Sequence, residues 1–294
     1  MRLGLSLLAL VVTMGFAPAQ RTFAETRATP LVEPDHAPAG YSIVFGDEFN
    51  AGAMPDPTKW DYATERNVEG WFNQEKQYYA RARPENSRIE NGRLIIEARA
   101  ETLDPKQYPD WSGQKYTSTR LLTRGKASWT YGFFEIRAKL PCGIGTWPAI
   151  WTLPEDPKVV WPNGGELDIM EHVGFVPGEI NQTVHTKAFN FGNGTQKTTK
   201  FQVATACAAM HRYQMLWTPD FILMGIDDQP KFMFRKVKKD RARWPFEQPH
   251  HLLLNIAVGG VWGGQKGIRP DAFPAKMEVD YVRIYQRAAE VKKP

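Results

Sequence analysis

Between Gly165 and His172 the chain reads Glu166-Leu167-Asp168-Ile169-Met170-Glu171, three carboxylates within six residues of an otherwise apolar run. Acids held among apolar neighbours point to chemistry, because burial and like charge let one carboxyl keep a proton while another stays ionised. Strand side chains alternate faces, so Glu166 and Asp168 share one face and Glu171 belongs to the other. A β-bulge near Ile169 or Met170 inserts one residue and returns Glu171 to the first face. With the bulge counted as no advance, the two glutamate Cα atoms lie about four rises, roughly 13 Å, apart. Two glutamate side chains leaning together close that gap toward ~5 Å, the spacing of a nucleophile and an acid/base at a glycosidic bond. The same residues also fit a solvated acidic strand or a calcium site made of three carboxylates.

Such a row of acids needs a rigid support, and the chain is long enough to supply one. Its 294 residues, 42% of them hydrophobic, suit one large β-sandwich or barrel. Residues 1–24 have the three parts of an export signal: Met1-Arg2, the apolar run Leu3 to Phe16, and small-residue sites at Ala17-Pro18-Ala19 and Thr22-Phe23-Ala24. Residues 25–40 then read as a Pro- and Ala-rich linker, 41–288 as the folded domain and 289–294 as a tail. The expectation is a secreted protein, extracellular or periplasmic, monomeric and free of the membrane once the signal is cleaved. Its formal charge of +5 falls to +3 without residues 1–24, since Arg2 and Arg21 leave 35 bases against 32 acids. That excess implies no nucleic-acid partner, and the basic run Arg235 to Arg243 reads as a solvated hairpin face. Cys142 and Cys207 are candidates for a disulfide, although spacing alone does not bring them together. The six histidines show no zinc spacing with either cysteine, and no cofactor is expected for catalysis.

The rest of the chain is a series of short β-like runs split by Gly, Pro, Asn and Asp. They include Arg93 to Arg99, Tyr116 to Leu122, Ala127 to Lys139, Trp147 to Leu153, Leu167 to Val173, Thr183 to Ala188, His251 to Val258 and Met277 to Tyr285. Asn91-Gly92 marks a tight hairpin and Asp227-Asp228-Gln229-Pro230 a second turn. The fold class is therefore all-β, and without a fixed repeat the leading architecture is a β-sandwich of the jelly-roll type, two antiparallel sheets with a concave cleft. Several of the ten tryptophans lie among glycines and polar residues: Trp71, Trp111, Trp147, Trp151, Trp161 and Trp262. Indole faces flanked by amides and acids suit sugar rings, whose C–H faces stack while their hydroxyls hydrogen-bond. Trp147 and Trp151, four apart in a strand, share a face. Trp129, Trp217 and Trp244 are assigned to the core.

Taken together these motifs resemble glycoside hydrolase family 16, in its bacterial endo-β-1,3-glucanase (laminarinase) branch. The resemblance rests on Phe45-Gly46-Asp47-Glu48-Phe49, Asn73 to Tyr79, Tyr131 to Ala138, Trp147 to Trp151, Glu166 to Gly174, Leu254 to Gly264 and Val279 to Tyr285. It implies a Glu-x-Asp-x-x-Glu signature with Met170 as the extra residue, a feature of laminarinases, agarases and carrageenases and absent from lichenases. It further implies Glu166 as nucleophile, Glu171 as acid/base and Asp168 between them, acting by retaining double displacement on β-1,3 or mixed-linkage β-glucan. Asn73, Arg137, Trp147, Trp151, His185 and Trp262 become candidates to contact substrate. The family's structural calcium on the convex side would fall to Glu48, Gly92 and Asp280. The alternatives on this scaffold are a galactan hydrolase of agarase or carrageenase type, a β-glucan transglycosylase, or a non-catalytic glucan-binding protein.

Overall fold

The computed structural model describes residues 36–237 and 239–288, so the signal at 1–24, most of the linker and the tail at 289–294 lie outside it. The first strands are β1 (Ser42–Asp47), β2 (Asp61–Tyr62), β3 (Gln77–Tyr79), β4 (Ser87–Glu90), β5 (Arg93–Ala100), β6 (Tyr116–Ser118), β7 (Arg120–Leu122) and β8 (Gly132–Lys139). There follow β9 (Thr146–Pro154), β10 (Glu166–Glu171), β11 (Glu179–His185), β12 (Lys197–Gln202), β13 (His211–Trp217), β14 (Phe221–Ile226), β15 (Gln229–Arg235), β16 (His250–Val258) and β17 (Ala275–Gln286). They build two sheets. Seven strands run β12-β11-β10-β9-β16-β7-β2, and ten strands run β15-β14-β13-β8-β17-β5-β6-β3 with β1 on β17 and β4 on β5. All pairs are antiparallel except β3 with β6. This is the expected all-β sandwich of two sheets, and helix among the described residues is confined to single turns such as Gly260–Gly263.

Alternation decides which side chains enter the space between the sheets. On β16 Leu252, Leu254, Ile256 and Val258 point into it, and on β17 Met277, Val279, Val282 and Ile284, all of them fully buried. They meet Trp129, Trp217 and Trp244, the three tryptophans assigned to the core, and burial of this apolar surface is the main stabilising force. Both expected turns form, each on two residues of positive φ: Asn91 and Gly92 at 55° and 71°, and Asp227 and Asp228 at 48° and 65°. Cys142 and Cys207 are joined by a disulfide with Cα atoms 5.8 Å apart, which ties the β8–β9 connection to the one before β13.

Three strand boundaries differ from the sequence reading for identifiable reasons. Ala127 to Tyr131 is not strand: it follows a turn closed by Lys126 N and Ala127 N on Thr123 O, and within it Trp129 makes only an isolated bridge with His250. Tyr116 to Leu122 splits at Thr119, so that β6 serves one sheet and β7 the other. β11 begins at Glu179, four residues before the expected start, because Glu179 to Gln182 pair with β12 and Asn181 pairs with β10 as well.

Candidate active site

Two glycines precede Glu166, and the second is obligatory. Gly165 has φ 80°, and a Cβ there would stand 2.3 Å from the Phe246 ring. The chain then enters β10, where the register against β9 is Asp168↔Trp151, Met170↔Ile150 and Glu171↔Ala149. The unpaired residue is therefore Ile169, one place before the Met170 expected from the motif. Against β11 the pairs are Glu166↔His185, Asp168↔Thr183 and Glu171↔Asn181, three residues of advance on β10 against two on β11. Ile169 and Met170 both point into the core at 0% exposure, which leaves the three acids on the outer face of the seven-stranded sheet.

A side chain absent from the sequence reading holds this bulge. Gln182, buried on β11, donates from Nε2 to Ile169 O at 3.0 Å and to Gly225 O at 3.1 Å, so the bulge carbonyl has a partner. Gln182→Leu is expected to strand both carbonyls, at a cost of about 1–3 kcal/mol. Because Ile169 sets where β10 resumes, kcat is expected to fall by roughly tenfold or more in the molecules that remain folded. Urea unfolding beside kcat checks this; wild-type values of both would show that the bulge stands without Gln182.

Each glutamate receives an indole N–H, from Trp161 Nε1 to Glu166 Oε2 at 2.5 Å and from Trp147 Nε1 to Glu171 Oε1 at 3.0 Å. Asp168 is hydrogen-bonded to Glu166, and its Oδ2 lies 3.4 Å from His185 Nε2. All three acids are pushed up. Burial and then the Asp168 charge raise Glu166 to about 8, and burial and then the Glu166 charge raise Glu171 to about 7. Asp168, enclosed and facing Glu171, is held well above the usual carboxylate range. At neutral pH the cluster thus retains protons. Glu166 and Asp168 share one hydrogen-bonded proton: the Asp168 charge and the bond to it raise Glu166, while the same bond works to lower Asp168. Glu166, Asp168 and His185 bring three ligand-capable atoms within 4.8 Å of one another.

The neighbouring residues form two banks. On the Glu171 side, Trp147 meets Trp262 edge-to-face at 5.2 Å, and Asn73 reaches Glu75 Oε1 from Nδ2 at 3.3 Å. Asn73 has φ 57° and its carbonyl would lie 2.9 Å from a Cβ on Gly260, so only glycine lets the two loops dock. Trp151 donates from Nε1 to Asn255 Oδ1 at 2.8 Å, and the Arg120 guanidinium lies over both Trp151 and the buried Trp71, at 4.7 and 5.2 Å. Arg120 was not legible as a site residue because only the β7–β16 register carries it to this face, opposite Asn255. On the Glu166 side, Trp161, Phe191 and His185 pack with ring centres 5.1–5.9 Å apart. Trp111 instead packs with Leu103, Tyr78 and Tyr108. His172 turns away from the acids as alternation requires, accepts from Gly178 N at 3.2 Å, and is lowered to about 4 by burial.

This row of bulge-aligned acids between two aromatic banks can be set beside known proteins. The profile of Glycosyl hydrolases family 16 matches residues 74–283, and a β-glucanase of Rhodothermus marinus is 52% identical over 260 residues, 86% of this chain and 87% of that protein. The chain belongs to glycosyl hydrolase family 16. The laminarinase of Rhodothermus marinus superposes with TM-score 0.78 at 51% identity, over 84% of this chain and 97% of that one. The non-specific endo-β-1,3(4)-glucanase SCLam, co-crystallised as a mutant with 1,3-β-D-cellotriosyl-glucose, gives TM-score 0.83 at 49% identity, over 86% and 98%. The family 16 jelly roll is thereby established for this chain.

Two expectations need correction within the family 16 domain. Arg137 lies on β8 in the other sheet, where Nη1 binds Asp280 Oδ2 at 2.5 Å, so it takes no part in the acid row. Two of the three expected calcium donors, Glu48 and Asp280, are engaged by arginine. Both oxygens of Glu48 receive the Arg283 guanidinium, at 2.8 and 2.9 Å, and Asp280 is held by Arg137, while Gly92 lies next to the Asn50 side chain. A dication needs carboxylate oxygens not already neutralised by arginine, and as arranged these residues do not fit one.

Proposed function

We propose that the protein is a retaining endo-β-1,3-glucanase of laminarinase type, acting on β-1,3 or mixed-linkage β-glucan by double displacement. The observation that carries this reading is the bulge at Ile169, which aligns Glu166 and Glu171 on one face, each anchored by an indole N–H. Glu166 attacks the anomeric carbon while Glu171 gives its proton to the departing glycosidic oxygen; Glu171, then a carboxylate, takes a proton from the water that frees the sugar. Asp168 takes up the proton it shares with Glu166, which leaves Glu166 ionised for the attack. Trp147, Trp262 and Trp161 offer indole surface to the sugar rings, with Asn73, Arg120 and His185 beside them for hydroxyls. The named activities of the relatives support the β-1,3 linkage, and the leader-like residues 1–24 support export.

The test is to offer laminarin, lichenan and agarose in parallel and follow products by size and by proton NMR. Laminarin is expected to break within the chain and to release the β-anomer first, with agarose untouched. First appearance of the α-anomer, or tight laminarin binding without release of reducing ends, would overturn the proposal.

A further inference from the structure

The outer face of β11 presents His185, Thr183 and Asn181 opposite Glu166, Asp168 and Glu171 respectively. Two of the three have a partner, His185 facing Asp168 Oδ2 at 3.4 Å and Thr183 Oγ1 lying 3.1 Å from Thr198 Oγ1. Asn181 does not. It is 1% exposed, yet neither Nδ2 nor Oδ1 makes a hydrogen bond, a costly state for a buried amide. That burial also rules out glycosylation of the folded chain at Asn181-Gln182-Thr183. Across β12 its pair is Lys200, whose ammonium is directed to Glu179 at 3.3 Å. Asp168 Oδ2 also lacks a hydrogen bond, but it lies across from Thr183, whereas Asn181 stands directly opposite Glu171, whose Oε1 takes the Trp147 N–H.

Glu171 changes state once per half-reaction, and a primary amide can serve both states, since its N–H donates to a carboxylate and its carbonyl accepts from a carboxyl. We propose that Asn181 is the positioning residue of the second half-reaction, donating from Nδ2 to Glu171 once Glu171 has become a carboxylate. The inference rests on the retaining reading above. In that step the water oxygen bonds to the anomeric carbon, the carbon–Glu166 bond breaks with its electron pair returning to Glu166, and the water proton passes to Glu171. Asn181 holds the receiving carboxylate in line and lowers its freedom to rotate away. The other ionisable groups facing Glu171 are Glu166 and Asp168 on its own strand, His185 on β11, and Glu75 from the segment before β3.

The experiment uses an aryl β-laminaribioside, whose good leaving group makes the first step fast. Asn181→Leu is expected to lower kcat about tenfold and KM with it, to show a burst of the phenol, and to accumulate a glycosyl-enzyme visible by intact-protein mass. Asn181→Asp keeps the shape and carries an O–H donor only while protonated. Its kcat is expected to approach wild type at acid pH and to fall away at least one pH unit earlier than wild type on the alkaline side, behaviour that lost packing does not produce. Wild-type kcat without a burst in Asn181→Leu, or a wild-type pH profile in Asn181→Asp, would overturn the assignment. Should Asn181→Leu not fold, the Asn181→Asp profile decides alone. If wild-type enzyme trapped with a 2-fluoro glycoside carries no covalent sugar on Glu166, the retaining reading itself has failed, independently of Asn181.

Discussion

Glu166→Gln and Glu171→Gln are each expected to lower kcat/KM on laminarin by about 10²–10⁴-fold or more, with the fold unchanged by circular dichroism. The two variants differ in what restores them. On an aryl β-glucoside oligomer, which leaves without a proton, Glu171→Gly retains its first step and is limited by the second. Added azide then takes the place of the activated water and yields the β-glycosyl azide. Glu166→Gly instead lacks the nucleophile, and azide filling the space of the missing carboxylate yields the α-glycosyl azide, one inversion. The signs follow from which side of the anomeric carbon each carboxylate occupies. A β-azide from the Glu166 variant would exchange the two roles, and full activity in either glutamine variant would remove that residue from the mechanism.

The same substitutions are expected to stabilise the protein at alkaline pH. In the folded chain Glu166 and Glu171 stand at about 8 and about 7, raised first by burial and then by neighbouring charge. A group raised on folding contributes stability that is complete below the unfolded value, near 4.5, and is lost as pH climbs through the folded value. Wild-type stability should therefore fall between about pH 5 and pH 8, because the unfolded chain ionises freely while the folded one holds protons. Glu171→Gln is neutral throughout and escapes its own share of this fall, while Glu166 still titrates. At pH 4 the two proteins should unfold alike, and by pH 8–9 the variant should be more stable by on the order of 1–3 kcal/mol, or several degrees in Tm. Urea unfolding across this range checks it; equal stability at pH 9 would mean that the acids are more hydrated than the fold implies. The contrast is the ordinary conflict between catalytic burial of charge and stability.

The acid row was legible because its information is local. Six residues and two alternating faces were enough to show that one inserted residue would bring the three acids to one face, and the resemblance to family 16 turned that option into an expectation. The all-β class was legible for the same reason, since period-two runs and Asn-Gly turns are short-range signals. Trp147 and Trp151 shared a face by counting alone. Arg137 was misplaced because period two states that a residue faces one side of a sheet and not which sheet, and β8 lies with β17 and β13 in the other layer. The glycine-rich run at Gly259 to Gly264 was legible as a loop, but not its docking against Asn73.

The sequence by itself thus determined the three acids, the place where one inserted residue would align them, the two-sheet class and the tight turns, since each depends on residues within a few positions of one another. Tertiary structure alone decided that Gln182 ties down the bulge carbonyl, that Arg120 lies between Trp71 and Trp151, that Glu48 and Asp280 are neutralised by arginines, and that Asn181 stands opposite Glu171 with its amide unmet. The physical reason is register: which residue lies across a strand pair is set by packing between segments far apart in the chain, and a shift of one position sends every side chain to the opposite face.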